Sequence, residues 1–255
     1  MSSSINYVAS VLLKYATTLL SCSAETRLII QTTERLSKAF GYNSEVVVAP
    51  THIILTVKKD DEVCSVVKRV DGIGINMTKL YQLTRLCLDV EKQKVTLEEV
   101  DEFLKNLKNF SYHPLLMCFV IGVSTLGFSY LNGGSFDACV VGFFSGFITM
   151  AARLFMQSKH LFVLFIFAMS GFIATLVTTL ISSFIYPLSN EDLTVALTVS
   201  VLLLVPGFPF MNGILDVFKG YHQMGLSRLF TATVLLASVC VGIISALVFS
   251  HAYFL

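Results

Sequence analysis

In VLLLVPGFPFMNGILDVFKG, Val201 to Gly220, an apolar run that starts as a helix meets Pro206, Gly207 and Pro209 and then carries Asn212 and Asp216. The 13 residues from Leu193 to Val205 make roughly 20 Å of helix at 1.5 Å per residue, too short to cross ~30 Å of hydrocarbon. The helix therefore has to resume. Pro206 and Pro209 lack N–H donors and clash with the preceding turn, so the ladder breaks at PGFP and a second half-helix is expected from near Phe210. Its free N–H groups would present partial positive charge inside the membrane, where a carboxylate could dock. Asn212 and Asp216, four residues apart, share one face of that half-helix. An acid within the membrane is costly and marks a proton or ion site, or a partner for a substrate ammonium. The competing reading is a proline kink near the cytoplasmic surface, with Asp216 among headgroups and offset by Lys219.

The turn LNGGSFD poses a weaker version of the same question. Asn132, Gly133 and Gly134 make a tight reversal and Asp137 opens the next apolar segment, either as a polar contact for substrate or as a plain helix-initiating acid. The candidate substrate-binding residues are thus Pro206, Gly207, Pro209, Asn212, Asp216 and Asp137.

The elements that must position these residues fall into two halves. The 255 residues are 55% hydrophobic with only 14% charged and a mean hydropathy of +0.74, a balance expected of a membrane protein. Of the 18 Lys and Arg, 14 lie at or before Lys108, as do 13 of the 17 Asp and Glu. The chain therefore reads as a soluble domain over 1–112 joined near Ser111 to a membrane domain over 113–255. A net charge of +1 with no basic face argues against a nucleic-acid partner.

The opening MSSSINYVASVLLKYATTLL lacks a basic n-region and places Lys14 inside its apolar stretch, so it reads as an amphipathic helix rather than a signal peptide. A second helix is expected after Ser23 as N-cap, ending at Gly41. EVVVAP, HIILTV and VCSVVKRV, separated by Pro50 and the KKDDE turn, read as a small antiparallel sheet. Helical periodicity returns from Asn76 to Val90, and Thr96 with Glu99 forms a capping box for a helix through Leu107. The soluble domain is α+β.

Beyond His113-Pro114 come five long apolar segments, about Leu115–Leu131, Phe136–Phe155, Leu161–Ser183, Leu193–Phe218 (interrupted at PGFP) and Leu229–Ser250. The fold class expected is an α-helical membrane protein of five transmembrane helices, the fourth discontinuous, preceded by the α+β domain. Lys105, Lys108, Arg153, Lys159, Lys219 and Arg228 flank alternate connections, whereas LNGGS and FIYPLSNED carry no Lys or Arg. By the positive-inside rule the N-terminal domain is cytoplasmic and the C-terminus lies outside.

Other chemistry is thinly supported. Cys22, Cys64, Cys87, Cys118, Cys139 and Cys240 form neither a CxxC pair nor a metal-ligand spacing, and read as buried thiols. No nucleophile stands with a base and an orienting acid, and no phosphate-binding loop is present. The chain is therefore expected not to be an enzyme, and no cofactor or metal is expected. Small residues are better organised: Ala138, Gly142 and Gly146 on the second span, and Ser238, Gly242, Ala246 and Ser250 on the fifth, recur every four residues and let helix backbones approach. The neighbour is either another helix of the same chain or a partner, a homo-oligomer included.

SAETR (Ser23 to Arg27), GINM (Gly74 to Met77), LNGG with Asp137, and above all SVLLLVPGFPFMNGILDVFKG (Ser200 to Gly220) resemble the threonine/serine exporter family. The resemblance is stronger to its short bacterial members, which hold the N-terminal half of the exporter. It runs along nearly the whole chain in the same order, with PGFP its most specific part. The family often has an arginine just before the Gly-Ile/Thr-Asn segment; here Ile73 stands there, and no role is carried to it. The resemblance implies a bacterial inner-membrane exporter of small amino acids or, in the split two-subunit type resembling a succinate exporter, of a dicarboxylate. It also implies a second, smaller membrane subunit that supplies the missing helices.

The function expected is therefore one subunit of a secondary exporter of small carboxylate-bearing metabolites, succinate or threonine and serine among them. With no ATP-binding loop, its energy would come from an ion gradient or from substrate itself. The alternative is a non-transporting membrane anchor whose soluble domain binds a ligand or protein.

Overall fold

The structure, a computed structural model of the chain, describes residues 4–70, 72, 74–108 and 112–253. Ile73, the junction at Ser111 and the terminus at Leu255 lie outside the described residues. Two compact units emerge: one contains 1–110 together with 208–229, the other 111–207 together with 230–255.

The first unit is built around helix α1 (Ile5–Ser21). Val8, Val11, Leu12, Tyr15, Leu19 and Leu20 are 0–2% exposed, whereas Asn6, Tyr7 and Ser10 are exposed and Lys14 and Thr18 half-buried, the open stripe of an amphipathic helix packed onto a core. The Tyr15 hydroxyl donates to the Leu83 carbonyl at 3.1 Å. Lys14, the charge inside this stretch, pairs with Asp101 at 3.2 Å. Strands β1 (Asn43–Val48), β2 (His52–Lys59) and β3 (Glu62–Arg69) pair antiparallel in the order β1-β2-β3. Ile53, Leu55 and Val57 turn inward from β2, while Val63 and Val67 of β3 face outward. This alternation is expected of a sheet covered on one face.

Helices α2 (Thr26–Ala39), α3 (Met77–Glu91) and α4 (Leu97–Asn106) complete this part of the unit. Gly41, at φ +80°, ends α2, with Tyr42 N–H donating to Ser37 O and Gly41 N–H to Lys38 O, a Schellman closure. Asn76 caps α3 through Lys79 N–H, and the Thr96/Glu99 capping box is formed in both directions. One expectation is corrected: Ser23 does not cap α2. It sits in a left-handed turn at φ 62°, and Glu25 holds the N-cap position without a side-chain bond.

The second unit contains α5 (Pro114–Leu131), α6 (Phe136–Ser158), α7 (Val163–Phe184), α8 (Asn190–Leu202) and most of α10 (His222–Tyr253). Its outside is apolar, with Phe119, Val120, Phe144, Phe165 and Ile244 among its exposed side chains, and its inside holds small and hydroxylated residues such as Ser145, Thr178 and Ala174. Thr178 Oγ1 donates to Ser145 Oγ at 2.7 Å and Ser145 Oγ to the Ala174 carbonyl at 3.2 Å. Where lipid is the solvent, close packing and hydrogen bonds between small residues hold helices together. The two small-residue stripes are used in this way within the chain. A methyl on Gly142 or Gly146 would strike Ser129 or Thr125 of α5, and one on Gly242 would strike the backbone of α7 at Ala168 and Phe172.

Four helices, α5, α6, α7 and α10, are long and apolar enough to cross a membrane, and α8 with α9 (Gly207–Phe218) forms a pair bent by 65° at a short break. Two boundaries differ from expectation. The second half-helix starts at Gly207 rather than Phe210, because Pro209 falls in its first turn, where no N–H is required. The last helix starts at His222 rather than Leu229, and its first turns belong to the N-terminal unit.

Candidate functional site

Helix α9 places Asn212, Gly213 and Asp216 on one buried face and Phe210, Met211, Leu215 and Phe218 on an exposed one. Opposite the polar face, within the same unit, lies the turn between α1 and α2 with the first residue of α2, and each residue from Ser23 to Thr26 is bound. Asn212 Nδ2 donates to the Ser23 carbonyl at 2.9 Å. Arg228, from the first turns of α10, donates to the Ala24 carbonyl at 2.6 Å. Glu25 pairs with Lys219. Thr26 gives Asp216 two bonds, from its backbone N–H at 3.2 Å and from its hydroxyl at 2.9 Å.

Asp216 is fully buried and also pairs with Arg228 at 3.2 Å. Its carboxylate stands at the first turn of α2, whose own N-cap residue offers no side-chain bond. It therefore supplies, from 190 residues away, the acceptor and the negative charge that a helix N-terminus leaves unmet. The left-handed turn at Ser23 aims two carbonyls in succession at Asn212 and Arg228. The neighbouring Cys22 thiol is pushed above its usual pKa, chiefly by burial.

The hairpin of α9 and α10 is held by its own closure. Gly220, at φ +87°, allows Tyr221 N–H to reach Asp216 O and Gly220 N–H to reach Val217 O, again a Schellman pattern. Beyond it, Gly213 and Gly225 let the two helices touch: a methyl on Gly225 would lie 2.8 Å from Gly213 O and from Val217 N.

Of the six candidate residues, the structure brings Asn212 and Asp216 together with the SAETR turn, where Asn212 Nδ2 and both Asp216 carboxylate oxygens are bound by protein groups. The boundary between the units falls between Gly207 and Phe208, inside PGFP. The Gly207 amide donates to the Val205 carbonyl at 2.8 Å, and a methyl there would meet nothing within 4 Å. Asp137 lies exposed in the first turn of α6, in the other unit. Beside it, Ser135 N–H donates to Asp192 of α8 at 2.8 Å.

Periodicity gives no sign of Thr26, and Arg228 reads in sequence only as a topology marker. A signal for it is present: the membrane half holds only four acids and four bases, and Arg228 and Lys219 are the bases nearest Asp216 in sequence. Arg153 likewise reads only as a topology marker, although that side chain lines a cavity in the second unit.

The family model described as "Putative threonine/serine exporter" matches residues 10–250. Over 241 residues the chain is 30% identical to the "Probable succinate transporter subunit YjjP" of Klebsiella aerogenes, covering 94% of this chain and 93% of that protein. The protein of the same name in Escherichia coli is 31% identical over 230 residues, which covers 90% and 89% of the two chains. A "Probable threonine/serine exporter" of Mycobacterium tuberculosis is 24% identical over 247 residues, 94% of this chain and 46% of that protein. No solved structure matches.

Proposed function

The chain belongs to the threonine/serine exporter family, and from that premise we propose that it is one subunit of a secondary transporter exporting small carboxylate-bearing metabolites. A dicarboxylate such as succinate, or a small amino acid such as threonine or serine, is the cargo. The energy comes from an ion gradient or from substrate exchange, and a second, smaller membrane subunit completes the pathway. The protein spans the bacterial inner membrane several times and catalyses no covalent chemistry.

The observation that carries this reading is the attachment of a membrane half-helix to the soluble turn. Residues Ser23 to Thr26 are hydrogen-bonded or ion-paired to α9 and α10, which supports a topology with the α9–α10 turn on the same side of the membrane as the N-terminal domain. In that topology the chain crosses an even number of times between Lys108 and Lys219. Helices α5, α6 and α7 make three crossings, and α8 with α9 makes the fourth, as a discontinuous span rather than a re-entrant loop. Five spans follow, with the charged connections inside. A broken span whose second half moves with a cytoplasmic domain is the kind of element that alternating access uses. A passive anchor needs none of it.

In this reading Pro206, Gly207 and Pro209 form the pivot of the half-helix, and Asn212 and Asp216 fasten it to the soluble turn. Asp137 starts α6 at the outer end. Deleting the gene should raise cytoplasmic succinate, threonine or serine several-fold, and co-expression with the smaller subunit should lower it again. Retention of no small carboxylate would leave the anchor reading standing instead.

A further inference from the structure

A cavity of about 350 Å³ lies within the second unit among α5, α6 and the end of α8, and its polar lining is Thr125, Thr149, Arg153, Gln157 and Ser200. The remaining walls are apolar side chains and Gly146. Arg153 belongs to a helix long and apolar enough to cross a membrane. Among the described residues it has no carboxylate partner; its guanidinium rests 4.4 Å from the centre of the Phe167 ring. A charge held in a membrane helix without a counter-charge marks a functional site by default. The ring leaves the N–H fork free for a planar anion.

The hydroxyl of Thr149, 3% exposed, has no hydrogen-bond partner among the described residues, and a buried donor left unmet calls for an explanation. Thr125 and Ser200 differ, since their hydroxyls already donate to carbonyls of their own helices at 2.8 Å. The donors open to a ligand are therefore Arg153, Thr149 and the Gln157 amide. No Asp or Glu lines the cavity among the described residues, so a ligand ammonium would find no counter-charge and would face Arg153.

We propose that this cavity is the cargo site, that Arg153 and Thr149 bind one carboxylate, and that the cargo is a small dicarboxylate without an amino group rather than a zwitterionic amino acid. The assignment rests on the transport reading and goes beyond it by naming residues and excluding the ammonium. Arg153 stands five residues before the last residue of α6, roughly 8 Å along the axis. That end carries Lys159 and faces the cytoplasm in the proposed topology, where an exporter meets its cargo.

The test is uptake of radiolabelled succinate, and separately of L-threonine, into inside-out vesicles from cells making the full chain together with its native membrane partners. Arg153→Gln should raise KM for succinate roughly ten- to a hundredfold at equal membrane abundance, as expected for loss of a charge-assisted contact. Arg153→Lys should recover part of that loss. Thr149→Val, which keeps the shape, should raise KM several-fold with kcat little changed. L-Threonine should enter at least tenfold less efficiently than succinate. Wild-type succinate uptake that survives Arg153→Gln and Thr149→Val unchanged overturns the site while leaving the transport reading intact. A preference for L-threonine overturns the dicarboxylate assignment, and wild-type vesicles that carry no small carboxylate sink the transport reading itself.

Discussion

Asp216 reads in sequence as a candidate transport site, and in space its carboxylate is held by protein groups, which suits a fastener. Its oxygens receive two bonds from Thr26 and one ion pair from Arg228, and no part of its side chain is exposed. Removing the charge strands Arg228, whose side chain is only 11% exposed, and breaking a buried pair from one side costs on the order of 3–5 kcal/mol. Asp216→Asn and Arg228→Gln should each lower the melting temperature of the detergent-purified protein and its abundance in the membrane. The double variant should lose clearly less than the sum of the two, because neither partner is then left charged and alone. Normal melting with lost export in Asp216→Asn would return this residue to the transport pathway.

At the scale of elements, the α9–α10 hairpin depends on glycine where backbones meet and not where the helix breaks. A methyl at Gly225 would press on backbone atoms of α9 at 2.8 Å, while one at Gly207 would stand in open space. Gly225→Ala should therefore destabilise the protein by about 1–3 kcal/mol, and Gly207→Ala should change stability by less than about 0.5 kcal/mol. Thermal unfolding of the two variants side by side checks this contrast. Should Gly207→Ala abolish export while melting normally, close approach of cargo to that backbone would be the explanation.

For the whole molecule the decisive quantity is the parity of crossings. A reporter inserted at Lys159 should be active in the cytoplasm, one inserted between Ile185 and Leu188 should be active outside, and one fused after Leu255 should be active outside as well. Cytoplasmic activity after Leu255 would mean an even number of spans and would turn α8 with α9 into a re-entrant loop. At Gly142, Gly146 and Gly242 the small-residue stripes on α6 and α10 are occupied by α5 and α7 of the same chain. The second subunit proposed above would then meet an apolar outer face, such as that of α5 with Phe119 and Val120 or that of α10 with Val241, Ile244 and Val248.

Much of this architecture is local and was therefore legible in the chain itself. A run of apolar residues long enough to cross hydrocarbon, a Gly41 that ends a helix, a Thr96/Glu99 box and the period-two pattern of β2 each depend on neighbours within a few residues. The proline break was legible for the same reason, apart from its exact restart, which a proline in the first turn moves forward. The partner of Asp216 depends instead on which turn packs against α9, a matter of contacts between segments 190 residues apart. Periodicity carries no record of such a pairing. The cavity under Arg153 is of the same kind: its residues are spread over three helices, each ordinary in its own sequence, and only their packing leaves a guanidinium without a counter-charge beside an unmet hydroxyl.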